Sequence, residues 1–247
     1  MITPSPSLWL VPLPREGGSS CSASEDAFGS LLRELSAKLT EGVFCEKVFS
    51  LYLILKGRFI MARGILIFGS AGAGKRTLGD AVSKELGFAH INTDDLFWRR
   101  GMKYPYTLML PREERKVRLV DAIWMHKNFV LSGNLDTISE HFEPMFDLVV
   151  YLTTNTSVRL ERLQKREYEK LGERILEGGD LYPMHRQFLH MAARYDSDGF
   201  PNADMHSEWA NTLACPVLRL SGDMAPEVNA QIIAKTYRKH MSRKKDA

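Results

Sequence analysis

The 247-residue sequence predicts a three-layer α/β/α fold on a five-stranded parallel sheet. Two observations point there. Five short runs of Ile, Leu, Val and Phe are continuously apolar rather than alternating, as strands buried on both faces are. Stretches with helical spacing stand between them, at separations that suit right-handed crossovers. The turn after the first run is rich in glycine and ends in a lysine, so the chemistry is sought there. No internal repeat is found.

The elements follow in order. Ile65-Leu66-Ile67-Phe68 is the first strand. After the glycine turn comes a helix over 77–85, with Gly87 at its C-cap. Residues 88–92 read as the second strand. Pro111 suits the first turn of a long helix over 111–127. Residues 129–132 are the third strand and 148–152 the fourth. A charged helix over 156–171 and another over 183–195 come next. Residues 217–220 form the fifth strand, before a helix over 226–240.

Residues 61–240 are therefore expected to form the folded domain, with 1–60 as an N-terminal extension and 241–247 as a basic tail. Half of residues 1–24 are Pro, Ser or Gly, a composition that favours disorder. Over 25–41, Phe28, Leu31, Leu32, Leu35 and Leu39 make one helical stripe, and Gly42 is placed to end it. Residues 43–61 suit a strand or a buried helix equally. Met61, just before the first strand, is a natural start for a protein of this type, so the extension is either genuine or an over-long reading of the gene.

Charge and cysteine usage narrow the function classes. The chain carries +3, but residues 235–247 alone hold six Lys or Arg and one Asp. The rest is slightly acidic, which argues against a nucleic-acid groove. The three cysteines are widely spaced with no C-x-x-C, so neither a disulfide framework nor a cysteine metal site is expected. A cytoplasmic, reducing setting fits best. No apolar run is long enough to span a membrane, and the N-terminus lacks the basic region of a signal peptide. The seven histidines show no ligand spacing, so no metal-ligating residues are expected.

The turn reads Gly69-Ser70-Ala71-Gly72-Ala73-Gly74-Lys75-Arg76-Thr77. Glycines let backbone N–H groups point at a phosphate without side chains in the way. The following helix offers free N–H groups and the positive end of its dipole, and Lys75 can reach the outer phosphates of a triphosphate. Gly69, Gly72, Gly74, Lys75, Arg76 and Thr77 are thus the expected nucleotide-binding residues. Arg76 stands where the strict motif has a hydroxyl for Mg²⁺, and the hydroxyl comes one later, at Thr77.

This form of the loop resembles the adenylate kinase and shikimate kinase-like branch of the P-loop kinases, and the order of motifs matches over about 64–240. The resemblance implies a nucleoside monophosphate kinase-like P-loop fold, ATP as donor, Mg²⁺ held largely through waters, and a small-molecule acceptor. In His90-Ile91-Asn92-Thr93-Asp94-Asp95-Leu96-Phe97-Trp98, Asp94 matches the second carboxylate of the D-x-D segment of shikimate and gluconate kinases, which faces the acceptor hydroxyl. Thr93 and Asp95 match the monophosphate kinases, but Trp98 stands where their phosphate-gripping arginine would be. After the third strand, Leu131-Ser132-Gly133-Asn134 again lacks an acceptor arginine, which argues against AMP.

Arg162 and Arg166 match the family's two ATP-phosphate arginines. At i and i+4 they share one helix face. The alternative for Arg162 and Arg166 is a solvated basic face, since Arg159 and Lys165 lie nearby without such a role. Residues 172–182 would be a short lid, with Arg186 and Arg194 beyond it. Ser221-Gly222-Asp223 falls where such kinases hold adenine, or is a simple helix-start turn.

The expected activity is transfer of the γ-phosphoryl of Mg·ATP to a small molecule, with Lys75, Asp94, Arg162 and Arg166 as catalytic residues. Two alternatives stand beside this. Asp94 or Asp95 merely caps the helix that starts there. Or the protein binds nucleotide as an ATPase or switch, with little or no phosphotransferase activity.

Overall fold

A computed structural model describes residues 63–245. The expectations for residues 1–60, including disorder over 1–24 and a helix over 25–41, lie outside the described residues. Five strands, β1 (Arg63–Gly69), β2 (Ala89–Asn92), β3 (Asn128–Ser132), β4 (Phe146–Thr153) and β5 (Val217–Ser221), form one sheet. Its order is β2-β3-β1-β4-β5, and every neighbouring pair is parallel.

Burial on both faces explains the continuous apolar runs. Leu66 and Phe68 of β1 point into one core with Leu131, Val149 and Tyr151. Ile65 and Ile67 point into the other with Val130, Leu148 and Val150. Helices α1 (Lys75–Leu86) and α7 (Pro226–Lys245) cover the second face through Leu78, Val82, Ile233 and Tyr237. Helix α3 (Arg112–Trp124) covers the first through Val117, Val120 and Ile123.

The sheet order decides where a ligand can bind. From β1 the chain moves outward to β2, returns to β3 beside β1, and then crosses to β4 on β1's other side. The direction of winding reverses at β1, and the crevice at its carboxyl end is the natural binding place. Helices α2 (Thr93–Phe97), α4 (Thr156–Leu171) and α5 (Tyr182–Ala193) all begin or pass near that end.

Two elements depart from expectation. Helix α6 (Ala203–Thr212) was not foreseen, although Asn202 caps it by accepting from the Met205 N–H at 2.9 Å. Its run is short and follows Gly199 and Pro201, so its helical period is weak. Helix α7 continues to Lys245 rather than stopping at 240. Its late basic residues are used in packing: the Lys244 ammonium donates to Asp147 Oδ1 at 2.9 Å. No helix among the described residues is long and apolar enough to cross a membrane.

Asp147 is fully buried, and its Oδ1 also accepts from Arg63 at 3.0 Å. One carboxylate thereby ties the start of β1 to the end of α7. Removing it leaves two cations that can return to water, which softens the usual penalty for breaking a buried pair. Asp147→Ala is expected to lower unfolding free energy by about 1–3 kcal/mol. Lys244→Ala, which leaves the Arg63 pair intact, should cost under about 1 kcal/mol. Urea denaturation of both variants checks the order.

Candidate active site

The phosphate loop spans the end of β1 and the start of α1. Gly69, Gly72 and Gly74 have φ of +144°, +79° and +96°. Gly72 is further constrained by closeness, because a Cβ there would stand 2.6 Å from the Arg159 carbonyl oxygen. The loop therefore lies directly on the first turn of α4. Lys75 folds its ammonium into the loop, donating to Gly69 O at 2.9 Å and Ser70 O at 2.8 Å. Burial pushes its pKa down to about 8, against the opposing charges of Asp94 and Asp136. Arg166 and Arg159 add a smaller push in the same direction as burial.

Arg159 is not on a solvated face, contrary to expectation; it is fully buried. It donates to Thr154 O at 3.0 Å, Ala192 O at 3.1 Å, Thr156 Oγ1 at 3.0 Å and Asp196 Oδ2 at 2.6 Å. A longer bond of 3.5 Å reaches Ala71 O in the phosphate loop. Its guanidinium carbon also lies 5.3 Å from the Tyr195 ring centre. A planar fork with five donors can serve that many acceptors at once, and an ammonium cannot.

On the other side of the loop, α2 is capped by Asn92, whose side chain accepts from the Asp94 N–H at 3.2 Å. This corrects the cap-only alternative: neither Asp94 nor Asp95 is the cap. Asp94 is exposed, and its Oδ1 accepts from the Trp98 indole at 3.3 Å. Trp98 packs edge-on against Tyr106, with centroids 6.0 Å apart. Arg76 reaches across to Asp95 at 3.2 Å, and both side chains are about half exposed. Thr77, also exposed, stands next in α1.

The helix α4 arginines diverge in partner while sharing a face. Arg162 donates to Gly222 O at 3.1 Å, and its guanidinium is 3.9 Å from where a Gly74 Cβ would be. It thus links the turn after β5 to the loop. Arg166 bonds Glu167 Oε1 through Nε at 2.8 Å and Nη2 at 2.7 Å, and its charge is felt at Lys75. Beyond α4, Arg174 and Lys103 share Asp180 and hold its carboxyl well below the usual carboxylate range. Tyr104, Ile175 and Leu181 form a small core there, joining the segment after α2 to the expected lid. Arg194 is committed to Asp198 at 2.6 and 2.8 Å, and Arg186 lies over the Tyr182 ring.

The structure adds two residues that the motif reading passed over. Asn134 Oδ1 accepts from the Gly69 N–H at 3.1 Å, tying the end of β3 to the first loop glycine. Asp136, held at φ +38°, sends its charge to Lys75 from the side opposite β4. Gly133, just before them, lets Thr93 approach the end of β3, since any side chain there would collide with Thr93 Oγ1. The signal was available: polar residues directly after a strand that pairs with β1 fall at the switch-point crevice.

A family described as "AAA domain" matches residues 65–179. The chain is 34% identical to the uncharacterized protein YqaC of Bacillus subtilis over 165 residues, covering 66% of this chain and 90% of YqaC. It is 31% identical over 114 residues to a putative adenylate kinase of Pyrococcus abyssi, covering 45% of this chain and 61% of that protein. Identity to shikimate kinase 2 of Yersinia enterocolitica is 29% over 112 residues, covering 42% of this chain and 64% of that protein. The chain belongs to the adenylate kinase and shikimate kinase-like branch of the P-loop kinases. Within this kinase fold it spans nearly the whole of YqaC and under two thirds of the other two.

Arg159 supplies a test of how the kinase loop is held. Arg159→Lys keeps the charge but serves fewer of the buried carbonyls, so about 2–4 kcal/mol of stability should be lost. Thermal melting measures the loss. Amide exchange of residues 70–74 should quicken more than that of β1, because the loop loses its floor.

Proposed function

We propose that the protein is an ATP-dependent small-molecule kinase. One observation carries the reading: the Lys75 ammonium is folded into the glycine loop at the end of β1, bonded to Gly69 O and Ser70 O, where the charges of Asp94, Asp136 and Arg166 bear on it. Loop amides and Lys75 would hold the β and γ phosphates, with Arg162 and Arg166 neutralising charge that spreads onto the transferring group. Thr77 and Arg76 stand at the same loop end.

The acceptor hydroxyl attacks the γ phosphorus. A new O–P bond forms as the bond to the β–γ bridging oxygen breaks, ADP leaves, and the hydroxyl proton passes to the Asp94 carboxylate. Asp94 suits that role because it is exposed, ionisable and not used as a helix cap. The Asp94 and Asp136 carboxylates beside a triphosphate loop also suit Mg²⁺, a hard ion that keeps most of its waters. When bound with ATP, it would neutralise charge on the phosphate oxygens. The widely spaced cysteines support a cytosolic site of action.

A second reading, a nucleotide-binding protein with little transfer, draws on the Arg76–Asp95 pair. A cation occupies the position where a hydroxyl would meet the metal.

Calorimetry of Mg·ATP against wild type and Lys75→Ala tests the donor site. Binding by wild type, weakened at least tenfold in the variant, is expected; no binding by wild type would remove the kinase reading. The depressed lysine adds a signature. Its folded pKa is about 8, and phosphate favours the charged form, so binding above about pH 8 should take up protons. ATP affinity should fall as pH rises through that value. Titrations in buffers of different ionisation heat measure the uptake, and Lys75→Ala should abolish it.

Asp94→Asn separates the two readings. It keeps the size, the Asn92 cap and the acceptor for Trp98. Turnover should drop by roughly 10²–10⁴, with melting temperature unchanged and ATP affinity changed only a little. Equal turnover in the two proteins would favour the binding-protein reading.

A further inference from the structure

Between the loop after β3 and helix α6 lies a cavity of about 280 Å³, lined by Phe68, Asn134, Asp136, Phe200, His206 and Trp209 among others. It is not a separate hollow. Asn134, in its wall, is hydrogen-bonded to the first phosphate-loop glycine, and the charge of Asp136, also in its wall, bears on Lys75. We infer that this cavity holds the body of the phosphoryl acceptor, and that the acceptor is an uncharged or cationic aromatic alcohol without a phosphate. The inference rests on the kinase reading for the word acceptor, and on the cavity alone for the chemistry.

The walls argue for a flat ring. Trp209 and His206 stand edge-on to Phe68, at 4.8 and 5.3 Å between centroids, so their faces and edges are already fixed. The Trp209 indole is tethered to Glu143 at 2.8 Å, and His206 Nδ1 is bonded to the Tyr195 hydroxyl at 2.8 Å. Phe200 is 83% exposed at the edge of the cavity, a large apolar surface with little intramolecular cover. Aromatic walls with few, fixed polar groups are the usual make-up of a small-ligand pocket. The volume is at the small end for such pockets, which suits one ring system and not a dinucleotide.

The charge argues against phosphate. Among the described residues the lining includes the Asp136 carboxylate and no Lys or Arg. The Arg115 guanidinium behind the wall is already bonded to Thr137 Oγ1 at 3.1 Å and balanced by the Asp136 charge, so a phosphate dianion would find no uncommitted guanidinium in the lining. A hydroxyl or amine would instead find Asn134 and Asp136 as partners. Asn134 joins the cavity wall to the loop at Gly69, so a hydroxyl held beside it lies at the loop end of the cavity.

The test has two independent arms. In the first, a panel of fluorinated aromatic alcohols is mixed with the full chain without nucleotide, and ¹⁹F line broadening is measured. Broadening with wild type is expected. Trp209→Ala should remove it, and because that variant can fail to fold, Phe200→Ser with a change at a second wall residue, Met205→Glu, is the main comparison. Both of those side chains are exposed, so the fold should be kept while affinity falls at least tenfold. No broadening with wild type, or equal broadening with the folded double variant, overturns the proposal.

In the second arm, Mg·ATP is present and ADP formation is compared for aromatic alcohols, open-chain polyols, hexoses and nucleoside monophosphates. Faster turnover of the aromatic class is expected, with the acceptor KM raised at least tenfold in the double variant and ATP affinity within twofold. Preference for polyols, sugars or monophosphates overturns it. Failure of ATP to bind in calorimetry removes the kinase reading and the role as acceptor, while the first arm still decides whether the cavity takes aromatic alcohols.

Discussion

The phosphate loop rests on a guanidinium that solvent does not reach. Arg159 projects from the first turn of α4 into a nest of carbonyls drawn from the end of β4, the end of α5 and the loop itself. A buried charge without partners is expensive, so once Arg159 is inside, each of these carbonyls is held where the guanidinium needs it. The backbone of the same residue is what Gly72 lies against. One residue therefore sets the loop's floor, the entry angle of α4, and the direction in which Arg162 and Arg166 leave the helix three and seven residues later. Asp196 neutralises the buried charge from the segment after α5, which ties the far side of the expected lid to the same point.

The opposite side of the loop is fixed by neutral groups. Asn134 satisfies the Gly69 N–H, Asn92 caps α2, and Gly133 lets Thr93 approach β3. These leave Asp94 and Asp136 free of structural duty toward the loop backbone. Both carboxylates bear on Lys75, whose ammonium burial alone would tend to discharge. The arrangement keeps a poorly solvated lysine ready to gain stabilisation when anionic oxygens arrive.

Much of this fold was legible. A strand buried on both faces has no polar side to show, and β1, β3 and β4 are such strands, so their continuous runs stand out. The expected and observed bounds of helix α4 coincide, and in the structure Asn155 caps its start and Gly172 its end. The glycine loop was legible because its backbone geometry admits few residue types. Arg159 was not, since a buried arginine and a solvated one look alike in a charged helix; what separates them is the set of carbonyls that tertiary packing brings up. Helix α6 was hidden for a related reason. Its apolar side, Trp209 and Ala210, is defined by a core to which β1 and β4 contribute Phe68 and Tyr151, all distant in sequence. The cap falls on Asn92 rather than on Asp94 or Asp95, the alternative for those residues, because four polar residues in a row, Asn92 to Asp95, can each start the helix.

On the proposed kinase reading, the distribution of charge around the loop separates a donor side from an acceptor side. Arg162 and Arg166 come from α4, on the flank of β4 and β5, where Arg162 already spans from the loop to the turn at Gly222. The flank of β2 and β3 offers carboxylates: Asp94, Asp95 with its Arg76 partner, and Asp136. A bound triphosphate would lie along the first flank with its γ end at Lys75, and the carboxylates of the second flank would face the incoming acceptor. A molecule entering from the second flank is selected against if it carries phosphate and favoured if it offers donors. The missing acceptor arginines at Trp98 and after Gly133 are then part of a consistent pattern rather than losses from a monophosphate site. The indole at position 98 bonds the Asp94 carboxylate that an arginine would have neutralised, and so leaves that carboxylate its charge.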